Sequence, residues 1–291
     1  SPGVFYGDAK DKVGNDLYSA TMNPNRGAWL EYETDASNVF YVRIDKNRKL
    51  PVTVLCRALG LSSDEEILNF FGEDERILAT LEKDTTKNQD EGLLEVYRKL
   101  RPGEPPTVES ATSQINMLFF DPRRYDLSRF GRYKMNKKLS LARRITGFVA
   151  AENIVAPLTG EIIVEAKGKI TRELAEKADA AGVDTVILSI EGKKVKVITN
   201  GCVDAQGFFS FDVKECGINE RCSFDEIKKI LDTTSDVEEQ KEMLRRNHDQ
   251  LIGRTVTVKD ILSSINYLNG LGHGVGTTDD IDHLGNRRIR S

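Results

Sequence analysis

The sequence predicts an α+β fold in which a mixed domain of helices and antiparallel strands is interrupted by a β-rich insertion module. Strand-like alternation of apolar and polar residues through residues 1–45 gives way to a helical period after Leu50. Near residue 145, short apolar runs with turn chemistry return, and a helical pattern follows from Thr257. Because both flanks are helical in a similar style, we expect one discontinuous domain around an insert. The predicted parts are 1–144, 145–252 with its flanking helices, and 253–291.

The first part is expected to begin as an antiparallel sheet. Its apolar runs read GVFY, LYSATM, AWLEYE and NVFYVRID, and Gly, Asn and Pro residues lie between them. Such alternation, with turn residues at each break, is typical of a twisted meander.

Helices are predicted next. The stretch KLPVTVLCRALG has an apolar helical stripe that ends at Gly60. Ser63 followed by Glu66 predicts a capping box for the helix DEEILNFF. Further helices are predicted at EDERILATLEK, at DEGLLEVYRKL, which the prolines of RPGEPPT end, and at TVESATSQINMLFF.

The insertion is expected to consist mainly of short strands. FVAAENIVAPLTGEIIVEAKGKI has a strand pattern with a turn at PLTG, and VDTVILSI, KKVKVITN and GFFSFDV also favour strands. Thr171 is expected to cap a helix at TRELAEKADAAG, and Ser223 with Glu226 another. SDVEEQKEMLRRNHDQL is predicted as one longer, charged helix, and TVKDILSSINYLNGL as the closing helix.

Composition bounds the class of protein. The 291 residues are 39% hydrophobic and 30% charged, with a formal net charge of −4, which is typical of a soluble globular protein. No run of about 18 apolar residues occurs, so no membrane span is expected. Charge is nevertheless uneven. Residues 64–91 carry ten acids and three bases, whereas residues 121–144 carry nine Lys or Arg and two Asp. A basic stretch is most often a solvated face, but this one also holds Tyr125, Phe130 and Tyr133, which favours a surface that meets a polyanion.

The motifs expected of a complete enzyme are missing from the sequence. The four cysteines form no CxxC pair and the three histidines are scattered, so reduced thiols are expected instead of a zinc site. The carboxylates of DDID suit magnesium, but Ile281 intervenes and the spacing is not that of a calcium loop. His283 has no Ser or Cys nucleophile in a recognisable elbow. GLGHGVG follows a predicted helix and lacks the Lys–Ser/Thr of a phosphate loop, so it is interpreted as a linker or turn.

Six strings, taken together and in this order, resemble the β subunit of bacterial DNA-directed RNA polymerase. They are SPGVFY, RGAWLEYE, RIDKNRKLPVTVLCRALG, DEGLLEVYRKLRPGEPPTVESA, LFFDPRRYDLSRFGRYKMNKKL and DDIDHLGNRRIRS. The resemblance spans residues 1–291 and is strongest at 1–60, 90–139 and 278–291. It implies a lobe domain that forms one jaw of the DNA cleft, with a variable β-rich insertion, and it implies that both ends are cut from a longer chain.

The resemblance also implies the setting in which the chain works. The whole enzyme is a nucleotidyltransferase whose catalytic magnesium lies in another subunit, so no cofactor is expected in this fragment. The implied partners are DNA, as downstream duplex and non-template strand, the β′, α and ω subunits, and a sigma factor, with no membrane. The implied location is the cytoplasm, in association with the nucleoid.

Position by position, the resemblance implies a pocket for an unpaired base of the non-template strand. Trp29 would stack on one base, although a single Trp in a strand is more often a core residue. Asp282 would accept hydrogen bonds from a flipped guanine, whose ring N–H and amino group are both donors. The positions that match the lining of the same pocket are Asp45, Arg101, Ile281, Leu284 and Arg287. A basic run is expected to face nucleic acid in the channel: Arg123, Arg124, Arg129, Arg132, Lys134, Lys137 and Lys138.

Two other functional classes remain open. In the first, the chain is a docking scaffold, in which the acidic 64–91 helices and the insertion bind transcription factors and neither Trp29 nor Asp282 reads a base. Binding to single-stranded DNA with and without guanine separates this class from base reading. The second, a free-standing enzyme, predicts activity from residues 1–291 alone.

Overall fold

The structure, a computed structural model, describes residues 1–279. These residues form two compact units, and each has helices and small antiparallel sheets, so the predicted α+β class is confirmed. Unit 1 comprises Ser1–Gly131 and, from the closing part of the chain, 255–279. Unit 2 comprises Arg132–Arg254.

Unit 1 begins with the predicted meander, a five-stranded antiparallel sheet in sequential order. Its strands are β1 (Gly3–Lys10), β2 (Asp16–Asn23), β3 (Leu30–Thr34), β4 (Phe40–Ile44) and β5 (Leu50–Pro51). One row of the sheet runs through Tyr6, Ala20, Tyr32, Val42 and Leu50, and all five side chains are buried. Because side chains alternate between the two faces of a strand, this buried row explains the apolar alternation in the sequence.

The helices of the first part of unit 1 follow the predicted segments. They are α1 (Val52–Ala58), α2 (Asp64–Phe71), α3 (Glu75–Lys83), α4 (Gln89–Leu100) and α5 (Val108–Ile115), and a π-helical turn, Asn116–Phe120, continues α5. The capping box predicted at α2 is only half formed. The Ser63 hydroxyl accepts a hydrogen bond from the Glu66 N–H, whereas the Glu66 carboxylate accepts from the Ser62 N–H instead of from Ser63.

A buried ion pair ties α1 to the end of α3. Arg57 of α1 donates from Nε to Asp84 Oδ2 at 3.1 Å, and both side chains are fully buried. Asp84 also accepts hydrogen bonds from Thr53 Oγ1 at 2.6 Å and from the N–H and hydroxyl of Thr86 at 2.8 and 2.6 Å. The Arg57 guanidinium further contacts the exposed carboxylate of Asp64 and the carbonyl of Ser62. Every polar atom that Asp84 brings into the interior is therefore matched.

Helix α6 (Ser128–Leu139) carries most of the basic run. Its residues up to Gly131 belong to unit 1, and those from Arg132 belong to unit 2. The predicted boundary at 144/145 lies further along the chain than the boundary between the compact units. Within unit 2, Asn136 accepts a hydrogen bond from Asn200, and Arg144 donates to the carbonyl of Ile198, so this part of the chain packs with the predicted insertion.

Unit 2 has seven short strands and five helices among its described residues. The strands are β6 (Val149–Ala150), β7 (Ile154–Val155), β8 (Ile162–Val164), β9 (Thr185–Ile190), β10 (Lys193–Ile198), β11 (Cys202–Val203) and β12 (Cys222–Ser223). The helices that lie wholly within it are α7 (Ala142–Ile145), α8 (Arg172–Ala180), α9 (Phe224–Thr233), α10 (Val237–Arg246) and α11 (His248–Leu251). Strands β10, β9 and β6 form one sheet in that order, and β7 with β8 and β11 with β12 form two-stranded ribbons. Thr171 and Ser223 cap α8 and α9 as predicted.

Two predictions in this unit are wrong. GFFSFDV is not a strand, because Asp204 and Asp212 each cap a short 3-10 helix, at Ala205–Phe208 and Val213–Cys216, and the neighbouring phenylalanines pack into a local core. SDVEEQKEMLRRNHDQL is not one helix either. Asn247 leaves the helical backbone conformation and separates α10 from α11. Asparagine competes with the helix through its side-chain amide, which favours a break at this position.

The closing helix, α12 (Val258–Leu271), returns to unit 1. Thr257 caps it with a reciprocal capping box, since its hydroxyl accepts from the Asp260 N–H and its own N–H donates to the Asp260 carboxylate. All side chains of α12 from Asp260 to Leu271 are buried, so the helix is an interior element of unit 1. The predicted capped helix at this position is confirmed.

Candidate nucleic-acid interface

Trp29 and Asp45 lie side by side where β3 begins and β4 ends. Leu30 pairs with Ile44 in the sheet, so the two residues form the next position of the same ladder. The Trp29 N–H donates to Asp45 Oδ1 at 2.7 Å, and the Asp45 N–H donates to the Trp29 carbonyl at 3.0 Å. The indole remains 44% exposed. Two of the predicted site residues are thus fixed to each other, with an aromatic face at the surface.

The loop that leads into Trp29 is held by a second contact within unit 1. Asn25 and Arg26 donate backbone hydrogen bonds to the Asp126 carbonyl, and the Asp126 N–H donates to the Arg26 carbonyl. Gly27 has a φ of +128°, and a Cβ there would lie 2.7 Å from the ring of the buried Tyr125. Only glycine combines this backbone with so close an approach, so the position of Trp29 depends on Gly27.

Arg101 stands apart from this pair. It follows the last residue of α4, its side chain is 47% exposed, and its ion pair is with Glu104 at 3.7 Å. Exposed pairs of this kind are weak, so the guanidinium is available to other anions. Among the residues that the structure describes, Arg101 shares no hydrogen bond, ion pair or ring contact with Trp29 or Asp45.

The predicted residues near the end of the chain lie outside the described part: Ile281, Asp282, Leu284 and Arg287, together with His283. The chain that leads to them is described up to Asp279. The Asp279 N–H donates to the Tyr6 carbonyl at 2.7 Å, and Asp279 Oδ2 accepts from the Tyr6 N–H at 2.8 Å. The Asp279 carboxylate thereby takes the place that a backbone carbonyl would have in a neighbouring strand.

Tyr267 of α12 holds the same segment, the chain that leads to Asp279. Its ring packs against that of Tyr6 with centroids 4.3 Å apart. Its hydroxyl accepts from the Thr277 N–H at 2.8 Å and donates to the Thr277 carbonyl at 3.1 Å. Gly276, at φ +84°, lies so close to this ring that a Cβ would sit 2.6 Å from Tyr267 Cζ. GLGHGVG, predicted as a linker or turn, therefore includes one glycine, Gly276, that the close Tyr267 ring requires. Sequence reasoning missed Tyr6 and Tyr267 because their role depends on long-range pairing.

Replacing Tyr267 with phenylalanine should loosen the segment from Thr277 to Asp279 and leave the stacking on Tyr6 in place. Both hydrogen bonds to Thr277 would be lost, which costs about 1 kcal/mol of unfolding free energy. Amide hydrogen exchange at Thr277 and Asp279 should accelerate, as measured by mass spectrometry or NMR. Tyr41→Phe makes the same chemical change at a ring whose hydroxyl has no hydrogen-bond partner among the described residues, and it should leave this exchange unaltered. Unchanged exchange in Tyr267→Phe would contradict the assigned role.

The basic run is not one uniform surface. Arg123 is largely exposed and donates to Asp121 at 3.2 Å, and this hydrogen bond holds the pKa of Asp121 below its usual range. Arg124 and Arg129 are exposed within unit 1. The prediction that Arg132 faces nucleic acid is wrong. Its side chain is buried, and its Nε donates to the Gly253 carbonyl at 2.9 Å. A buried guanidinium bound to a backbone carbonyl stabilises unit 2 and does not face a ligand.

The remaining lysines of the run belong to unit 2. Lys134 and Lys138 are half-buried, whereas Lys137 is exposed with its ammonium 5.9 Å from the centroid of the exposed Tyr133 ring. A cation over an aromatic face at this distance is a favourable contact. Lys137 is therefore the one exposed lysine of the predicted run within the described part of unit 2.

Within residues 1–279, no group of three or more His, Cys, Asp or Glu side chains is arranged to hold a metal ion. None of the helices in this range is both long and apolar enough to cross a membrane. The four cysteines are free thiols, and burial raises the pKa of Cys56 and of Cys222 to about 12.

Comparison with known proteins gives the family. The sequence model of the family described as RNA polymerase Rpb2, domain 2, matches residues 1–155 and 203–290, so 156–202, within unit 2, is the part it does not match. Proteins named DNA-directed RNA polymerase subunit beta align with all of this chain. That of Acetivibrio thermocellus is 57% identical over 293 residues, that of Clostridium beijerinckii 55% over 291, and that of Alkaliphilus metalliredigens 55% over 292.

The chain spans about a quarter of the length of these curated relatives: 23% for Acetivibrio thermocellus and Alkaliphilus metalliredigens, and 24% for Clostridium beijerinckii. The family match covers well over half of the chain and includes both Trp29 and the segment that approaches β1. The resemblance inferred from the sequence strings is confirmed, and the chain belongs to the RNA polymerase Rpb2 domain 2 family.

Proposed function

We propose that this chain is the lobe of the β subunit of a multisubunit DNA-directed RNA polymerase, a nucleotidyltransferase. In this proposal it forms one jaw of the DNA cleft and contacts downstream DNA and the unpaired non-template strand. The catalytic magnesium lies in another subunit, and β′, α, ω and sigma are the protein partners, in the cytoplasm at the nucleoid. The family match and the names of the relatives support this assignment.

The observation that carries the base-reading part is the exposed, backbone-fixed indole of Trp29. A lone tryptophan in a strand usually belongs to the core, but this one is 44% exposed and its backbone is held by Asp45 and by the loop at Gly27. Stacking of a base on such a face is worth about 1–3 kcal/mol and tolerates any sequence. Trp29 therefore supplies affinity for an unpaired base, and selectivity must come from another residue.

Asp282 is proposed as that residue. An ionised carboxylate accepts two hydrogen bonds, and guanine presents two donors on one edge, whereas adenine and the pyrimidines do not satisfy it equally. The anchor at Asp279 supports this pairing. Asp279 lies one strand beyond β1 in the row of Tyr6 and Tyr32, and Trp29 precedes Tyr32 by three residues. With about 4.8 Å between strands and about 3.4 Å per residue, the backbones of Asp279 and Trp29 are roughly 17 Å apart. Asp282 follows Asp279 by three residues in the sequence, so the proposed pairing with Trp29 starts from an anchor on the same sheet.

The other predicted residues are proposed to hold the phosphate backbone. Arg101 and Arg287 would offset the repulsion between Asp282 and DNA, and Asp45, Ile281 and Leu284 would line the pocket. Of the basic run, Arg124 and Arg129 are the best candidates for sequence-neutral contacts, since both are exposed and neither forms a salt bridge with a carboxylate among the described residues. Arg132 is excluded by its burial.

The test compares Asp282→Ala and Trp29→Ala in the assembled polymerase, bound to a DNA bubble with guanine or adenine at one unpaired non-template position. The unmodified enzyme should prefer guanine. Asp282→Ala should abolish this preference, and Trp29→Ala should weaken binding to both bubbles by about tenfold. Asp8→Ala, which removes an exposed carboxylate of β1, is the matched control and should change neither value. An intact preference in Asp282→Ala would remove that residue from base reading, and undiminished affinity in Trp29→Ala would favour the docking-scaffold alternative.

A further inference from the structure

Unit 2 contains a groove that the proposed function does not use. Its volume is about 1320 Å³, and it is formed by the second half of α6 with α7, by one face of α8, and by the turns between β11 and β12. Pockets for small molecules usually measure about 300–1,000 Å³. The size of this unit 2 groove is thus better suited to a segment of a chain than to a compact metabolite.

The carboxylates that line the groove are already engaged. Glu176 accepts from Arg172 at 3.1 Å, and Asp179 accepts from Arg221 at 2.5 Å. Asp204 and Asp212 cap the two 3-10 helices and accept from the backbone N–H groups of Gln206 and Lys214, each at 3.0 Å. Glu220, the fifth, also has an interaction partner. Four of these acids are therefore bound by groups of the groove itself, two by arginines and two by backbone N–H groups.

Three cations that line the groove are not used in this way. Lys137 of α6, Arg143 of α7 and Lys214 of the second 3-10 helix have no carboxylate partner among residues 1–279. Arg143 is exposed, and the Lys137 ammonium lies over the Tyr133 ring. A groove whose acids are satisfied and whose cations are not complements an incoming carboxylate.

We infer that the unit 2 groove binds an extended, acidic segment of a protein partner. A nucleic acid strand fits less well, because it carries a phosphate charge at every nucleotide and five carboxylates line the same walls. A peptide can place its carboxylates opposite Lys137, Arg143 and Lys214 and leave neutral residues beside the acids. The α8 wall lies in 156–202, the part that the family model does not match, whereas Lys137, Arg143 and Lys214 lie in matched residues, so the groove is built from both parts.

The test measures binding by fluorescence anisotropy to the 291-residue chain. The probes are a labelled peptide of about twelve alternating Glu and Ser residues, its Lys–Ser counterpart, and a twelve-nucleotide thymidine strand. The acidic peptide should bind the unmodified chain, and Arg143→Glu with Lys214→Glu should weaken it by about tenfold. The matched control, Lys193→Glu with Lys228→Glu, reverses two exposed charges of unit 2 outside the groove and should change the affinity by less than about twofold.

Three results would overturn the inference. The first is that the acidic peptide shows no measurable binding. The second is an equal loss of affinity in both double variants, which would indicate general charge attraction. The third is that the thymidine strand binds more tightly than the peptide and loses this binding in the groove variant, which would assign the groove to nucleic acid. Circular dichroism and thermal melting of each variant establish that unit 2 is folded before affinities are compared. If Arg143→Glu with Lys214→Glu is unfolded, Arg143→Gln with Lys214→Gln replaces it, with a smaller expected loss in the same direction.

Discussion

Replacing Asp84 with alanine is expected to destabilise the chain by about 3–5 kcal/mol, because it leaves the Arg57 guanidinium buried without its carboxylate. Arg57 and Asp84 are both fully buried, and Asp84 accepts hydrogen bonds from Arg57, Thr53 and Thr86. The substitution also removes the acceptor that those donors share. The loss should appear as a lower urea midpoint in equilibrium unfolding followed by circular dichroism.

Two companion variants make this expectation specific. Asp64→Ala removes the other carboxylate that contacts Arg57, but that carboxylate is 53% exposed, so the cost should stay below about 1 kcal/mol. Arg57→Met combined with Asp84→Leu replaces the pair by apolar groups and should recover most of the stability lost in Asp84→Ala. A loss in Asp84→Ala no larger than that in Asp64→Ala would show that the buried pair is not the source of the effect.

Replacing Gly27 with alanine is expected to lower stability by about 3 kcal/mol and to change the surroundings of Trp29. The backbone at Gly27 has a φ of +128°, which residues with a side chain rarely adopt, and the new Cβ would lie 2.7 Å from the Tyr125 ring. Relief of this overlap requires the loop or Tyr125 to shift. Since Trp29 is the only tryptophan of the chain, a changed indole emission spectrum reports that shift directly.

Gly14→Ala is the control for backbone strain alone. Gly14 has a comparable positive φ of +87°, but nothing lies within 4 Å of the position that its Cβ would take. Gly14→Ala should lower the free energy of unfolding by only about 1 kcal/mol and leave the emission of Trp29 unchanged. Equal effects at the two glycines would mean that the contact between Gly27 and Tyr125 does not hold the Trp29 loop.

The sheet and the closing helix were predictable from local pattern. The alternation of apolar and polar residues over 1–45 indicates a sheet with one buried face. The buried row from Tyr6 to Leu50 lies on that face. Thr257 and Asp260 stand at the spacing of a capping box, which identifies the start of α12. Signals of this kind act within a few residues and do not depend on what the rest of the chain does.

The errors arose where tertiary packing overrides local pattern. GFFSFDV has the composition of a strand, but its phenylalanines join a small core with α9 and α10, and the capping aspartates on either side favour short 3-10 helices. Arg132 is one arginine in a basic run, and only the fold reveals that Gly253 accepts its hydrogen bond. The exposure of Trp29 could not be derived from its strand-like context either, since the choice between core and surface depends on which face of the sheet is covered.

The Asp279 contact has a further consequence for the exposed margin of the sheet. Strand β1 is the outermost strand of its sheet, and an outer strand with unmatched N–H and C=O groups recruits other extended chains. At Tyr6 both groups are already occupied, one by the Asp279 amide and the other by its carboxylate. The Asp279 contact therefore protects the molecule at this position from edge-to-edge self-association and aggregation.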